Sequence, residues 1–221
     1  MVVGAAGTIL ELDGTSWNEP PITTSARFNS VWGDPDGNLF VAVGTSGAVV
    51  VRRTGGWSAH TSGTSETLHR VWGASSSAVF AVGTGGTILF YDGSSWSPQA
   101  CPTAEPLRGV WGSAATRVFA VGGDGTVLRR DGSSWSEQNT ETTKSLFDVW
   151  GLTANDVFVV GQSGTLLRRT GVNAWTAERS GTASYLHAVA VTAGGRVLAV
   201  GDWGCAPKVV EKAGAASGAG S

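Results

Sequence analysis

Few side chains in this 221-residue chain have the chemistry for catalysis or metal binding, and they do not converge in sequence. The histidines are His60, His69 and His187, and the cysteines are Cys101 and Cys205. A zinc site needs three or four nitrogen, sulfur or carboxylate ligands brought to one point. His69 and His187 share one phase of a repeat described below, but no third histidine or paired carboxylate joins them. No metal site and no cofactor are therefore expected. Cys101 and Cys205 form no Cys-x-x-Cys pair; free thiols are expected, with a single disulfide between them as the alternative. A Gly-x-Ser-x-Gly nucleophile elbow, a His-Glu-x-x-His zinc helix and a phosphate loop ending in Gly-Lys-Ser/Thr are all absent. No acidic position recurs on the innermost strand beyond Asp148, whereas glycoside hydrolysis needs two carboxylates. No catalytic residue is assigned, and a hydrolase or lyase is the weakest reading.

The composition narrows the class further. The charges nearly balance, 15 basic against 17 acidic residues, so no basic face is available for nucleic acid. No run of eighteen apolar residues exists, so no membrane span is expected. Glycine is abundant, 33 residues, and weakens helix interiors, so short strands joined by tight turns are favoured over helices. Met1 runs into repeat sequence at Val2 with no room for a signal peptide, so the chain reads as cytoplasmic or, preferably, as a piece cut within a repeat.

The dominant signal is periodic. A Val-Gly step recurs at Gly4, Gly44, Gly83, Gly122, Gly161 and Gly201, spaced 40, 39, 39, 39 and 40 residues apart. A Val-Trp-Gly triplet holds the same phase at Trp32, Trp72, Trp111 and Trp150. A second tryptophan closes each unit at Trp17, Trp57, Trp96, Trp135 and Trp175. Each unit divides into four short strands, exemplified by Leu68 to Trp72, Val79 to Val82, Thr87 to Tyr91 and a strand from near Trp96. Four antiparallel strands in about 40 residues is the pattern of a propeller blade. The fold class is therefore all-β, a five-bladed β-propeller of four-stranded antiparallel blades.

The chain starts at the end of a second strand and ends after a second strand. The expectation is that the last blade closes with strands from both termini, leaving no open edge at the seam. Residues 1–204 would form the propeller and 205–221 a C-terminal tail, Gly/Ala/Ser-rich at its end.

The units running from Val79-Phe-Ala-Val-Gly through Gly86-Thr-Ile-Leu to Asp92-Gly-Ser-Ser-Trp96, and from Val118 to Trp135, resemble the VWG-type tandem repeats of bacterial β-propellers. They are also similar to propellers of the photosystem II assembly-factor type and, more distantly, to Asp-box (BNR) repeats. The resemblance covers about residues 2 to 201 and implies the fold and a secreted or cell-surface location. The Asp-box match is incomplete: Asp13, Asp92 and Asp131 precede the turn, but Arg53 and Thr170 replace aspartate. In that family the loop is structural, and a sialidase-type arginine triad would have only Arg70 and Arg108 to draw on.

In a repeat protein, function is sought where the copies disagree. After the leading Leu or Phe of the innermost strand the residues are Asn29, His69, Arg108, Phe147 and His187, and the next are Ser30, Arg70, Gly109, Asp148 and Ala188. Such a polar ring at a central channel is either a hydrated structural lining or a site for a small molecule, ion or peptide end. Asn29, His69, Arg70, Arg108, Phe147, Asp148 and His187 are the candidate ligand-binding residues. Trp203 joins them because Ser46, Gly85, Asp124 or Ser163 stands at its position elsewhere. Trp17, Trp32, Trp57, Trp72, Trp96, Trp111, Trp135, Trp150 and Trp175 are read as structural aromatics wedged between blades. Asp34-Pro35-Asp36-Gly37 is read as a turn and the pairs Arg52-Arg53, Arg129-Arg130 and Arg168-Arg169 as solvated strand faces. Together these features describe a monomeric, non-enzymatic binding scaffold for a protein or carbohydrate ligand. The tryptophans support, as the alternative, a multivalent lectin with sites between blades.

Overall fold

The structure, a computed structural model, describes residues 1–22, 24–202 and 208–212. These form six antiparallel sheets. The first holds β1 (Val2–Val3), β2 (Ile9–Asp13) and β3 (Ser16–Asn18), and the second β4 (Phe28–Gly33), β5 (Phe40–Gly44), β6 (Val49–Arg53) and β7 (Gly56–His60). The third holds β8 (Leu68–Ser75), β9 (Ala78–Gly83), β10 (Ile88–Tyr91) and β11 (Trp96–Pro98). The fourth holds β12 (Leu107–Ala114), β13 (Arg117–Gly122), β14 (Val127–Asp131) and β15 (Ser134–Glu137). The fifth holds β16 (Leu146–Thr153), β17 (Asp156–Gly161), β18 (Leu166–Arg169) and β19 (Trp175–Ala177), and the sixth β20 (Leu186–Val191), β21 (Val197–Gly201) and β22 (Lys208–Lys212). The inner strands β4, β8, β12, β16 and β20 pack side by side in succession. No helix among the described residues is long and apolar enough to cross a membrane.

The all-β, four-strand repeat is as expected; the expected closure is not what the structure shows. Strand β2 takes β1 as its neighbour through Val3↔Ile9, and β21 takes β22 through Val200↔Val209. The two ends therefore build separate three-stranded sheets, and residues 208–212, expected in the tail, are strand. A partner a few residues away costs little loop-closure entropy, whereas pairing β2 with β21 would close almost the whole chain. Trp203, Cys205 and residues 213–221 lie outside the described residues.

The core is a series of seams. Five hydrophobic clusters each join two consecutive sheets, from Ile9, Phe28, Ala42 and Val50 at one end to Phe158, Val160, Leu186 and Val197 at the other. No such cluster among the described residues joins the sixth sheet to the first. Strands such as β9 are buried on both faces, which explains their unbroken apolar sequence.

The tryptophans stitch these seams in two directions. The first three Val-Trp-Gly indoles reach forward onto the glycine of the next triplet. A Cβ added at Gly73 would lie 2.6 Å from Trp32, one at Gly112 2.7 Å from Trp72, and one at Gly151 2.9 Å from Trp111. Each closing indole reaches back: Trp135 meets Phe80 edge-on at 6.1 Å and Trp175 meets Phe119 at 6.0 Å. Trp57 donates its indole N–H to Glu11 of the first sheet at 2.5 Å. Trp96, Trp111, Trp135 and Trp175 are buried, and Trp32, Trp57 and Trp72 half-buried. Two depart from expectation. Trp17 is 52% exposed because its sheet has no predecessor to pack on, and Trp150 is 40% exposed because the next inner strand carries Val191 where the glycine would stand.

The paired arginines are not uniformly solvated. Arg130 and Arg169 are buried beneath the following turns. Arg130 donates to the carbonyl of Ala115 at 2.6 Å and lies over Phe80, and Arg169 donates to Asn155 Oδ1 at 2.8 Å and lies over Phe119. The cation–π contact and the captured carbonyls offset part of their desolvation, while each Nε stays buried without a partner. Asp34 forms the expected turn, accepting the Gly37 N–H on its carbonyl and the Leu39 N–H on its carboxylate, each at 3.0 Å.

These burials separate the aromatics by stability. Trp111→Ala and Trp135→Ala should each cost about 3–5 kcal/mol in denaturant melts, the usual loss for a buried aromatic. Trp17→Ala should change stability by no more than about 0.5 kcal/mol. A large loss at Trp17 would mean that its exposed face is covered in solution.

Candidate functional site

Every inner strand carries the same irregularity. The register slips between Phe28 and Ser30, Leu68 and Arg70, Leu107 and Gly109, Leu146 and Asp148, and Leu186 and Ala188. The skipped residues are Asn29, His69, Arg108, Phe147 and His187, a position at which the copies of the repeat differ. A β-bulge leaves its extra residue without a partner opposite and re-aims the side chain. Variation there leaves the pairing undisturbed.

The structure brings these five residues into one row. Asn29 Nδ2 donates to the Leu68 carbonyl at 2.9 Å, just ahead of His69. Burial, with a smaller contribution from the Arg108 charge, holds the His69 imidazole below its usual pKa. The Arg108 guanidinium lies 5.8 Å from the Phe147 ring centre, and Phe147 stacks on His187 at 5.4 Å and 25°. His187 Nε2 lies 3.0 Å from Asp202 Oδ2. Tyr185 completes an aromatic shelf, 5.9 Å from Phe147 and 6.3 Å from His187, and its hydroxyl accepts from Gln162 Nε2 at 3.2 Å. Tyr185, Asp202 and Gln162 were not legible as site residues, since they flank the strands rather than occupy the variable phase. Cation, ring faces and acceptor together suit a peptide segment carrying apolar and polar side chains.

The next position of each inner strand serves the framework. Ser30 Oγ accepts the Val71 N–H at 3.2 Å, and Asp148 Oδ2 accepts the Val189 N–H at 3.0 Å, the same bridge one sheet forward. Asp148 Oδ1 also pairs with Arg70 Nη2 at 2.7 Å, two sheets away. Gly109 lies between them on β12, and a Cβ there would stand 3.0 Å from the Asp148 Cα. Arg70 and Asp148 border a cavity of about 340 Å³ walled by Trp32, Trp72 and Trp150. Burial raises the Asp148 carboxyl above the usual range, against the opposing pull of Arg70 and the Val189 N–H. Asp92 shows the opposite effect: the N–H groups of Ser95 and Ser94 hold its carboxyl low, closing a turn with no role at the row. Among the described residues no three His, Cys, Asp or Glu are placed to hold a metal ion. Cys101 is a half-buried free thiol whose pKa burial raises.

No protein-family model matches the chain, and no curated protein matches it. Solved structures do. A structure described as YCF48 from Cyanidioschyzon merolae superposes with a TM-score of 0.68 at 17% identity, over 89% of this chain and 72% of that one. Another, described as YCF48 bound to D1 peptide, superposes with a TM-score of 0.53 at 16% identity, over 99% of this chain and 89% of that one. At such identities the likeness establishes the propeller fold alone, in line with the assembly-factor resemblance.

The raised Asp148 pKa gives a pH signature. A carboxyl that holds its proton more tightly when folded contributes stability below the ordinary carboxylate pKa of about 4 and loses it as pH rises through the folded value. Wild type should therefore gain stability over Asp148→Asn as pH falls toward about 4. Melting curves across that window check the sign. A wild-type advantage that grows with rising pH would mean that Arg70 and the Val189 N–H outweigh burial.

Proposed function

We propose that this chain is a non-enzymatic propeller that binds a protein segment along the row Asn29, His69, Arg108, Phe147 and His187. The observation that carries the reading is the repeated bulge, which presents one side chain per repeat outside the strand pairing, with Arg108, Phe147 and His187 in successive contact. In this reading each repeat is one blade and the row crosses the inner ends of five blades. The solved neighbour described as YCF48 bound to D1 peptide supports a peptide as the occupant. The buried closing tryptophans weigh against sugar sites between sheets.

Fluorescence anisotropy with a labelled D1 peptide tests this. Saturable binding is expected, weakened roughly tenfold by Phe147→Ala and by Arg108→Ala, since interface energy concentrates in aromatic and arginine anchors. Asp36→Asn, in a remote turn, should leave it unchanged. No binding, or binding indifferent to both row substitutions, would overturn the reading.

A further inference from the structure

The cavity of about 340 Å³ at Arg70 and Asp148 lies among the inner strands β4, β8, β12 and β16, and none of the five bulged residues lines it. Its size is at the lower end of the range for small-molecule sites, which combine apolar walls with a few placed polar groups. Here the walls are the indoles of Trp32, Trp72 and Trp150, and the only charged groups among the described lining residues are Arg70 and Asp148.

Two departures from the repeat build this cavity. At the phase of Arg70 the other copies carry Ser30, Gly109, Asp148 and Ala188, so a single cation enters it. At the phase of Gly73, Gly112 and Gly151 the last inner strand carries Val191, and Trp150, lacking a glycine to lie on, stays exposed. Trp111, seated on Gly151, is buried and does not line the cavity. An indole left in water forgoes apolar burial that a ligand ring stacked on it would recover.

The ion pair sets the polarity that a ligand meets. The Asp148 side chain is 3% exposed, with Oδ1 on Arg70 Nη2 and Oδ2 on the Val189 N–H. The Arg70 side chain is 40% exposed, and among the described residues only its Nη2 has a hydrogen-bond partner. The pair therefore hides its anion and shows its cation. An entering cation would meet the guanidinium rather than the carboxylate. A polyol would find few polar groups, since Ser30 Oγ already accepts the Val71 N–H. A carboxylate suits the exposed guanidinium, whose fork of N–H groups matches its two oxygens. We propose that this cavity binds a small aromatic carboxylate, its ring against Trp150 and its carboxylate on Arg70, at a site separate from the bulge row.

Equilibrium dialysis of radiolabelled phenylacetate against the full chain tests this. Saturable binding at one site is expected, with a Kd below about 1 mM, within reach of a ligand of about ten non-hydrogen atoms. Phenylacetamide, the same shape without the charge, and phenethylamine, with the opposite charge, should each compete roughly tenfold more weakly. Trp150→Ala removes an exposed ring, so the fold should survive while binding falls roughly tenfold. Arg70→Gln should shrink the preference for acid over amide to less than about twofold. Should that variant unfold, Arg70→Lys, which keeps the charge and loses the fork, should still weaken phenylacetate about threefold or more. Trp150→Ala should leave the anisotropy of the D1 peptide unchanged, so this site and the row fail separately. Absence of saturable binding, the amide or the amine competing as well as the acid, or wild-type affinity in Trp150→Ala would overturn the assignment. So would an acid preference that survives in Arg70→Gln, wild-type affinity in Arg70→Lys, or loss of peptide binding in Trp150→Ala.

Discussion

Where two sheets meet in the middle of this chain, an indole from each side crosses the seam. Trp72 and Trp135 cross between the third and fourth sheets, and Trp111 and Trp175 between the fourth and fifth. The forward indole requires glycine in the neighbour, because its ring occupies the volume of a Cβ. That exclusion sets how closely inner strands approach, and the approach sets the inner lining. The end seams lack the full pair. Among the described residues the fifth and sixth sheets have neither a backward indole nor, with Val191 in the way, a buried forward one. Stability in such an array is a sum over neighbours, so opening is easiest at the ends.

The inner lining inherits this spacing. Ser30 and Asp148 take over the N–H of a neighbouring inner strand, a bridge available only when the strands lie close. Asp148 does so as a nearly buried carboxylate, and the half-exposed Arg70 keeps that charge from standing alone. The aromatic and cationic row just above rests on the same framework. Phe147 meets Arg108 on one side and His187 on the other because β12, β16 and β20 are held in step.

The strand count per unit, the turn glycines and the variable row were legible in the sequence, because each repeats at a fixed phase. The exposure of Trp150 was missed, although the alignment of Val191 with Gly73, Gly112 and Gly151 carries the signal for it. The pairing of the ends was not. Val2–Val3 keeps only the end of a strand at the first Val-Gly step, and Lys208–Lys212 lies beyond the last one, so the repeat pattern did not reveal a third strand for either end sheet. The burial of Arg130 and Arg169 was hidden because a strand-end arginine reads as solvated until a phenylalanine on the preceding sheet is seen beneath it.

The bulge has a consequence for how such a protein changes over time. A residue inside the ladder is constrained by its partner opposite and by the sheets on either face, so most replacements there damage folding. The bulged residue escapes those constraints, and one recurs in every copy at the same height. The array therefore works like a combination lock with one free dial per repeat. Asn, His, Arg, Phe and His are its present setting, and a new specificity could be dialled in one copy at a time without recasting the body that holds the dials.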